Sequence, residues 1–146
     1  MASVSIKFDD TALQAKLDAL RVKLQEAVRP SAQAGAQILY DEVRLRVPIS
    51  NKVHGYEGNL KAFKPGNLKA SIYQVYSKSN SDDSKAVYQI SYNKKKAFYG
   101  RFIEFGTVKL AGQSFIRPSY DSKKVAALEA VKVKFLGLAK GAINGA

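Results

Sequence analysis

The chain has 146 residues, a formal net charge of +12 and 46% hydrophobic residues. That length fits one domain with a single core, and the apolar content excludes a disordered basic tail. The absence of cysteine excludes a disulfide scaffold, a thiolate metal site and a cysteine nucleophile, and the single histidine, His54, leaves no multi-histidine metal site and at most one member of a Ser-His-Asp triad.

Composition therefore weighs against a hydrolase and towards a binding or assembly protein. The charge is unevenly placed. Residues 1–47 hold seven basic and six acidic side chains, a net +1, whereas residues 48–146 hold 17 and 6, a net +11. A field of that sign attracts nucleic acid, an acidic protein surface or anionic lipid. No apolar run approaches 18 residues, so no membrane span is predicted. The N-terminus, MASVSIKFDD, has no apolar signal-peptide region. The expectation is a protein that works where it is made or leaves as part of something larger.

In chain order, Val4, Ile6 and Phe8 alternate with polar residues and predict a short strand. Asp9 and Asp10 suit a helix start. Leu13, Leu17, Leu20, Leu24 and Val28 then form a narrow apolar stripe. Arg29-Pro30 interrupts it, because a residue before proline resists the α region. Ser31 restarts a helical pattern that Pro48 stops. As one straight helix, residues 11–47 would measure about 55 Å, more than the roughly 40 Å diameter of a compact domain of this size. Either the helix breaks or bends at Pro30, the favoured reading, or it projects. A projecting helix would imply a partner to cover its leucines.

Residues 49–66, ISNKVHGYEGNLKAFKPG, lack periodicity and predict a long loop, of the kind that is usually functional or disordered. Leu68 to Tyr76 runs from a turn into a strand, residues 77–84 form a polar turn, and Ala86 to Tyr92 returns as a second strand. After the turn Asn93-Lys94-Lys95-Lys96, Phe98, Phe102 and Phe105 stand at helical spacing before Gly106. Pro118 suits the first turn of a last helix carrying Leu128, Val131, Phe135 and Leu138, with fraying expected from about residue 141. The predicted fold is α+β. An antiparallel sheet of about three to four strands is covered by a long, bent or broken N-terminal helical region and a C-terminal helix, in one domain.

Few residues offer chemistry. A general base needs an oriented partner and a pocket, and nothing beside His54 supplies either, so it reads as an exposed loop histidine. Asp82-Asp83, flanked by serines, read as turn formers rather than a metal pair. Glu104, between aromatics, is either a buried acid or a partner for Arg101 or Arg117; a structural ion pair is favoured over catalysis. The glycines match no phosphate-binding loop. Lys94, Lys95 and Lys96 beside Tyr92, Phe98 and Tyr99 could contact phosphate and stack on bases, although a solvated lysine turn with its aromatics directed inward is the preferred reading. A small basic hydrolase, such as a ribonuclease toxin, rests only on size, charge and His54. No catalytic, cofactor or metal residues are assigned.

The stretch Phe98 to Thr107, FYGRFIEFGT, followed by Ser114 to Ser119, SFIRPS, resembles a signature of the form Y-x-x-(aromatic or V)-E-(F/Y)-G-T … P-F-(L/I)-R-P-A. That signature belongs to the tail-completion, or head–tail joining, proteins of long-tailed bacteriophages, the gene-product-ten-like minor tail components. Residues 65–72, PGNLKASI, are similar to a second family pattern, P-x-x-T-G-x-L-R-x-S-I. Pro65, Ser114 and Ser119 depart from the usual threonine, proline and alanine, and the 49–66 loop looks like an insertion. The motif residues are Tyr99, Glu104, Phe105, Gly106, Thr107, Phe115, Arg117 and Pro118. In this setting Gly106 permits a chain reversal, Thr107 satisfies backbone groups there, and Phe102 and Phe105 anchor the short helix on the sheet.

The resemblance implies a structural virion protein of the neck or tail, assembled in the host cytoplasm, without cofactor or catalysis. It implies a ring, commonly six-fold, formed from a chain that can be monomeric when isolated. Its partners would be the head connector or adaptor protein, the tail terminator or tail tube protein, and genomic DNA passing through the lumen, with no membrane. Lys52, Lys61, Lys64, Lys94, Lys95 and Lys96 are the candidate interface or DNA contacts. The alternative is a basic double-stranded-DNA-binding module.

Overall fold

The computed structural model describes residues 5–6, 9–56 and 59–145. Helix α1 spans Thr11–Arg46 as one helix, so of the break or bend favoured at Pro30 the break does not occur. At 36 residues it is about 54 Å long. Proline removes one backbone donor and crowds the preceding turn, but the helix runs through it, with one side-chain bond within the helix and one contact to the residue Tyr76 beside the proline. The Ser31 hydroxyl donates to the Ala27 carbonyl at 2.6 Å. The Arg29 guanidinium lies 4.4 Å from the centre of the Tyr76 ring.

The segment read as a long loop contains an antiparallel hairpin, β1 (His54–Tyr56) and β2 (Asn59–Phe63), with an irregular register. After a five-residue helix α2 (Asn67–Ser71), β3 (Ile72–Tyr76) pairs antiparallel with β4 (Tyr88–Tyr92), from Ile72 opposite Tyr92 to Tyr76 opposite Tyr88. The expected sheet of three to four strands is therefore two separate two-stranded ladders among the described residues. Of the N-terminal strand, Val4 and Phe8 lie outside the described residues; Ile6 is exposed and unpaired in any ladder. Helix α3 spans Gly100–Phe105 and α4 Ile116–Asn144. No described helix is long and apolar enough to cross a membrane.

Helices α1 and α4 pack antiparallel. Glu42 lies beside Ser122 and Lys123, Gly35 beside Ala127 and Val131, and the Lys23 ammonium donates to the Gly145 carbonyl at 3.3 Å. The approach is close because the seam is small: Ala27, Ser31 and Gly35 recur every four residues and are buried. A Cβ on Gly35 would come within 2.5 Å of Val131 Cγ2 and 2.8 Å of the Ala127 carbonyl oxygen. Helix α4 is assigned through Gly137 and Gly141 to Asn144, and Ala142 in its last turn is buried.

The core sits at the other end of the helical pair. Val43 and Val47 of α1 and its end, Leu68, Ile72, Tyr92, Ala97 and Phe115 form one cluster. Tyr40, Ile90, Tyr99, Ile103 and Ile116 pack around it. The molecule is thus a small mixed base from which a two-helix arm extends.

Candidate assembly interface

The motif residues gather where α3 meets α4. Gly106 adopts a left-handed φ of 78°, which a side chain resists. It also lies against the backbone of Gly112, where an added Cβ would come within 2.6 Å of the amide nitrogen. Thr107 and Leu110 exchange backbone hydrogen bonds at 2.8 and 3.2 Å, and the Thr107 hydroxyl accepts the Leu110 N–H at 3.1 Å. The Gln113 N–H donates to the Ile103 carbonyl at 2.7 Å. This loop returns the chain so that α4 starts beside α3.

Glu104 fixes that start. Its Oε2 accepts the N–H groups of Phe115 (2.8 Å) and Ile116 (3.2 Å), and its Oε1 accepts the Ser114 hydroxyl (2.6 Å). A helix leaves its first N–H groups without intrahelical partners, and a carboxylate there also meets the positive end of the dipole. Burial is the largest single influence on this carboxyl and opposes ionisation. The bonds from Phe115, Ser114, Ile116 and Arg117 together outweigh it and hold the pKa below its ordinary value. Glu104 is therefore a buried acid that caps α4. The expected ion pair with Arg101 or Arg117 is not among the described salt bridges, because its oxygens are engaged by the helix start.

Pro118 stands in the first turn of α4, where its missing N–H costs nothing. Phe115 is 1% exposed and its ring centre lies 6.4 Å from that of Tyr92. Arg117 is exposed. Phe102 and Phe105 do not anchor α3 on the sheet; both face outward, Phe105 at 79% exposure. Gly100, Glu104 and the half-buried Ile103 provide the inward face instead.

Tyr99 closes one side of a cleft of about 430 Å³ lined by Pro48, Ile49, Phe63, Leu68, Phe98 and Ile103 among others. Phe63, Phe98 and Tyr99 meet edge to face, with centroids 5.1 to 5.9 Å apart. Asn67 joins two of the basic positions: its N–H donates to the Lys64 carbonyl, and its side-chain amide donates to the Lys96 carbonyl and the Tyr99 hydroxyl. Lys64 thus shares this end of the base with the exposed Lys94-Lys95-Lys96 turn. Tyr92 is in the core, Tyr99 is half-buried and Phe98 is exposed. Lys52 is exposed in the segment before β1. The side chains of His54 and Lys61 lie outside the described residues. Asp82 accepts from the backbone N–H and hydroxyl of Ser84, both at 2.8 Å, as a turn former does. No cluster of metal-ligating side chains occurs among the described residues.

The family model described as "Bacteriophage HK97-gp10, putative tail-component" matches residues 11–106, about two-thirds of the chain. The chain belongs to this family. Neither a curated protein nor a solved structure matches it. As a member of a phage tail-component family it is read as a structural tail protein. The matched span runs from the first residue of α1 to the turn after α3, so α4 lies outside it.

Sequence reasoning missed the surface of the arm. Leu128 and Leu138, two of the four apolar residues read at helical spacing in α4, are exposed, and the small Ser119, Ala127 and Ala142 are buried. The signal was available as small residues at four-residue spacing in α1, Ala27-Ser31-Gly35, and two turns apart in α4, Ser119 and Ala127.

Proposed function

We propose that this family member is a tail-completion component, joining the head connector to the tail tube as a ring in the virion neck, after assembly in the host cytoplasm. One observation carries the reading beyond family membership. The isolated chain exposes 11341 Å², where a compact chain of its mass exposes roughly 7,400 Å². Surface in that excess is normal for a subunit and unusual for a solitary domain. The work of such a protein is contact, and no catalytic or cofactor residue is assigned. The connector or adaptor above and the tail terminator or tube below are its neighbours, with genomic DNA in the lumen. Lys64, Lys94, Lys95 and Lys96, with Lys52 and Lys61, are the proposed contacts to an acidic ring or to DNA.

The test is a phage or prophage carrying a nonsense codon in this gene. Filled heads and free tails that fail to join, rescued by the wild-type protein, are expected. Intact infectious particles lacking the protein overturn the reading. A second reading, a double-stranded-DNA-binding module, is favoured by the exposed Lys94-Lys95-Lys96 turn. Fluorescence anisotropy with duplex DNA at two salt concentrations addresses it, because each neutralised phosphate steepens the salt dependence. Absence of binding at low salt removes it.

A further inference from the structure

The cleft beside Tyr99 is apolar within and basic around its edge. Ile49, Phe63, Leu68, Phe98 and Ile103 line it. Leu68 is buried, whereas Ile49 and Phe98 are 52% and 55% exposed. Its volume of about 430 Å³ falls at the small end of the range for binding pockets. Asn67, a polar residue of the lining, is already engaged: its side-chain amide donates to the Lys96 carbonyl and the Tyr99 hydroxyl. What the cleft offers a partner is apolar surface.

Its surroundings carry one sign of charge. Residues 48–118, which supply the whole lining, hold 12 basic side chains and four acidic ones. Asp82 and Asp83 stand in the turn at the far end of the β3–β4 hairpin, where Asp83 shares a groove with Leu20 and Leu24 of α1. Glu104 is spent on the start of α4, and Glu57 lies outside the described residues. At the end of α1, Asp41 and Glu42 are matched by Arg44 and Arg46. Lys64 lines the cleft itself, and the exposed Lys94-Lys95-Lys96 turn is tied to the lining through Asn67. None of these four lysines enters a salt bridge among the described residues.

We infer that the cleft receives an apolar side chain from an acidic segment of a neighbouring virion protein. The apolar side chain fills the cleft, and carboxylates on either side of it meet Lys64 and the 94–96 turn. An apolar anchor in a pocket with a polar rim is the arrangement that concentrates binding energy at protein interfaces. Duplex DNA would reach the lysines but presents no apolar group to fill the cleft. A second copy of this chain brings its own net charge of +12, and like charges across an interface disfavour that pairing. The inference rests on the reading of the chain as a virion subunit and gives one of its neighbours a chemistry.

The probe is a nine-residue peptide with a central phenylalanine and two acidic residues on each side, titrated into the isotope-labelled full chain and followed by NMR. The side-chain amides of Asn67 and Gln113, both at the cleft, are expected to shift and saturate. The same peptide with alanine at its centre should bind at least about tenfold more weakly, because the buried ring is lost. Replacing its acids by their amides should weaken it by a similar factor, and added salt should weaken the acidic peptide alone. Ile49→Asp places a carboxylate at an exposed position of the lining and should abolish the preference for phenylalanine. Lys94→Gln, Lys95→Gln and Lys96→Gln together should weaken both acidic peptides and leave their ratio unchanged. Circular dichroism confirms the fold of each variant. Unshifted Asn67 and Gln113 amides at millimolar peptide, equal affinity for the phenylalanine and alanine peptides, or a preference that survives Ile49→Asp would each overturn the inference. So would a short DNA duplex that shifts these amides more strongly than the peptide, or a shift that appears on concentrating the protein alone. Loss of peptide binding alongside a joining defect in the nonsense mutant removes this contact and leaves the neck assignment standing. Peptide binding by a protein whose absence leaves particles intact does the reverse.

Discussion

The base and the arm solve folding in opposite ways. In the base, seven buried side chains drawn from α1 and its end, α2, β3, β4, the 93–97 turn and the start of α4 close on one another. In the arm, two long helices touch through Ala27, Ser31 and Gly35 on one side and Ala127 and Val131 on the other, while Leu13, Leu17, Val125, Leu128 and Leu136 face outward. Close helix packing through small residues gives little apolar burial per turn, since burial scales with apolar area. The larger side chains remain available to something else. The base therefore has the composition of a self-sufficient core, and the arm that of a subunit surface.

The comparison breaks most readily at Phe115. It is 1% exposed and joins α4 to the base. Phe115→Ala should cost about 3–5 kcal/mol, read as the loss of denaturant midpoint in a monomeric sample. A cost as small as that of a surface change would mean that the base is not the stability centre.

Glu104 comes next. Glu104→Ala leaves the Phe115 and Ile116 N–H groups without their acceptor and should cost about 2 kcal/mol. Its folded pKa is depressed, so its contribution is complete above the unfolded value, about 4.3. It is lost as pH falls through the folded value. Wild type and Glu104→Gln should therefore differ in thermal midpoint at neutral pH and converge as the medium is acidified below pH 4. An unchanged gap at low pH would show that the carboxylate charge is not what holds the α4 start.

Gly35 tests the arm from within. Gly35→Ala gains about 1 kcal/mol of helix propensity, but its Cβ meets Val131 Cγ2 and the Ala127 carbonyl oxygen, and overpacking typically costs about 1–3 kcal/mol. Net destabilisation of about 1 kcal/mol is expected in chemical denaturation. A stabilised variant would mean that the two helices can separate without loss, and that the arm is looser than its close contacts indicate.

Much of the base was legible in the sequence. The β3–β4 strands alternate and flank a Ser/Asp/Asn turn, Pro48 lies just past α1, and Pro118 falls in the first turn of α4. Glu104 stood out as an acid among aromatics, but its role did not. A carboxylate twelve residues before the helix it caps leaves no local spacing to read, unlike a cap adjacent to its own helix. The unbroken α1 was hidden for a related reason. Pro30 argues locally for a break, and the contact beside it from outside the helix, Arg29 over Tyr76, is not legible in local spacing. The hairpin β1–β2 has strands of only three and five residues, too short for alternation to stand out within a glycine-rich segment. On the arm, leucine spacing marked an apolar stripe, whereas the structure buries alanine, serine and glycine; periodicity finds an apolar face but not which neighbour covers it.

The smallest effect on stability belongs to that outward face, and it separates the two regions most sharply. Leu128→Ser removes an apolar side chain that is already exposed in the monomer. Surface changes away from caps and cores usually stay within about 0.5 kcal/mol, so the denaturant midpoint of dilute protein should barely move. The same substitution removes part of an outward apolar stripe, so on the ring-forming reading sedimentation should show a clear loss of self-association. An equal loss of stability in dilute protein would instead place Leu128 in the fold of the single chain. The outer face of α4 would then belong with the base, and the division between a self-folding base and a partner-seeking arm would fail at that residue.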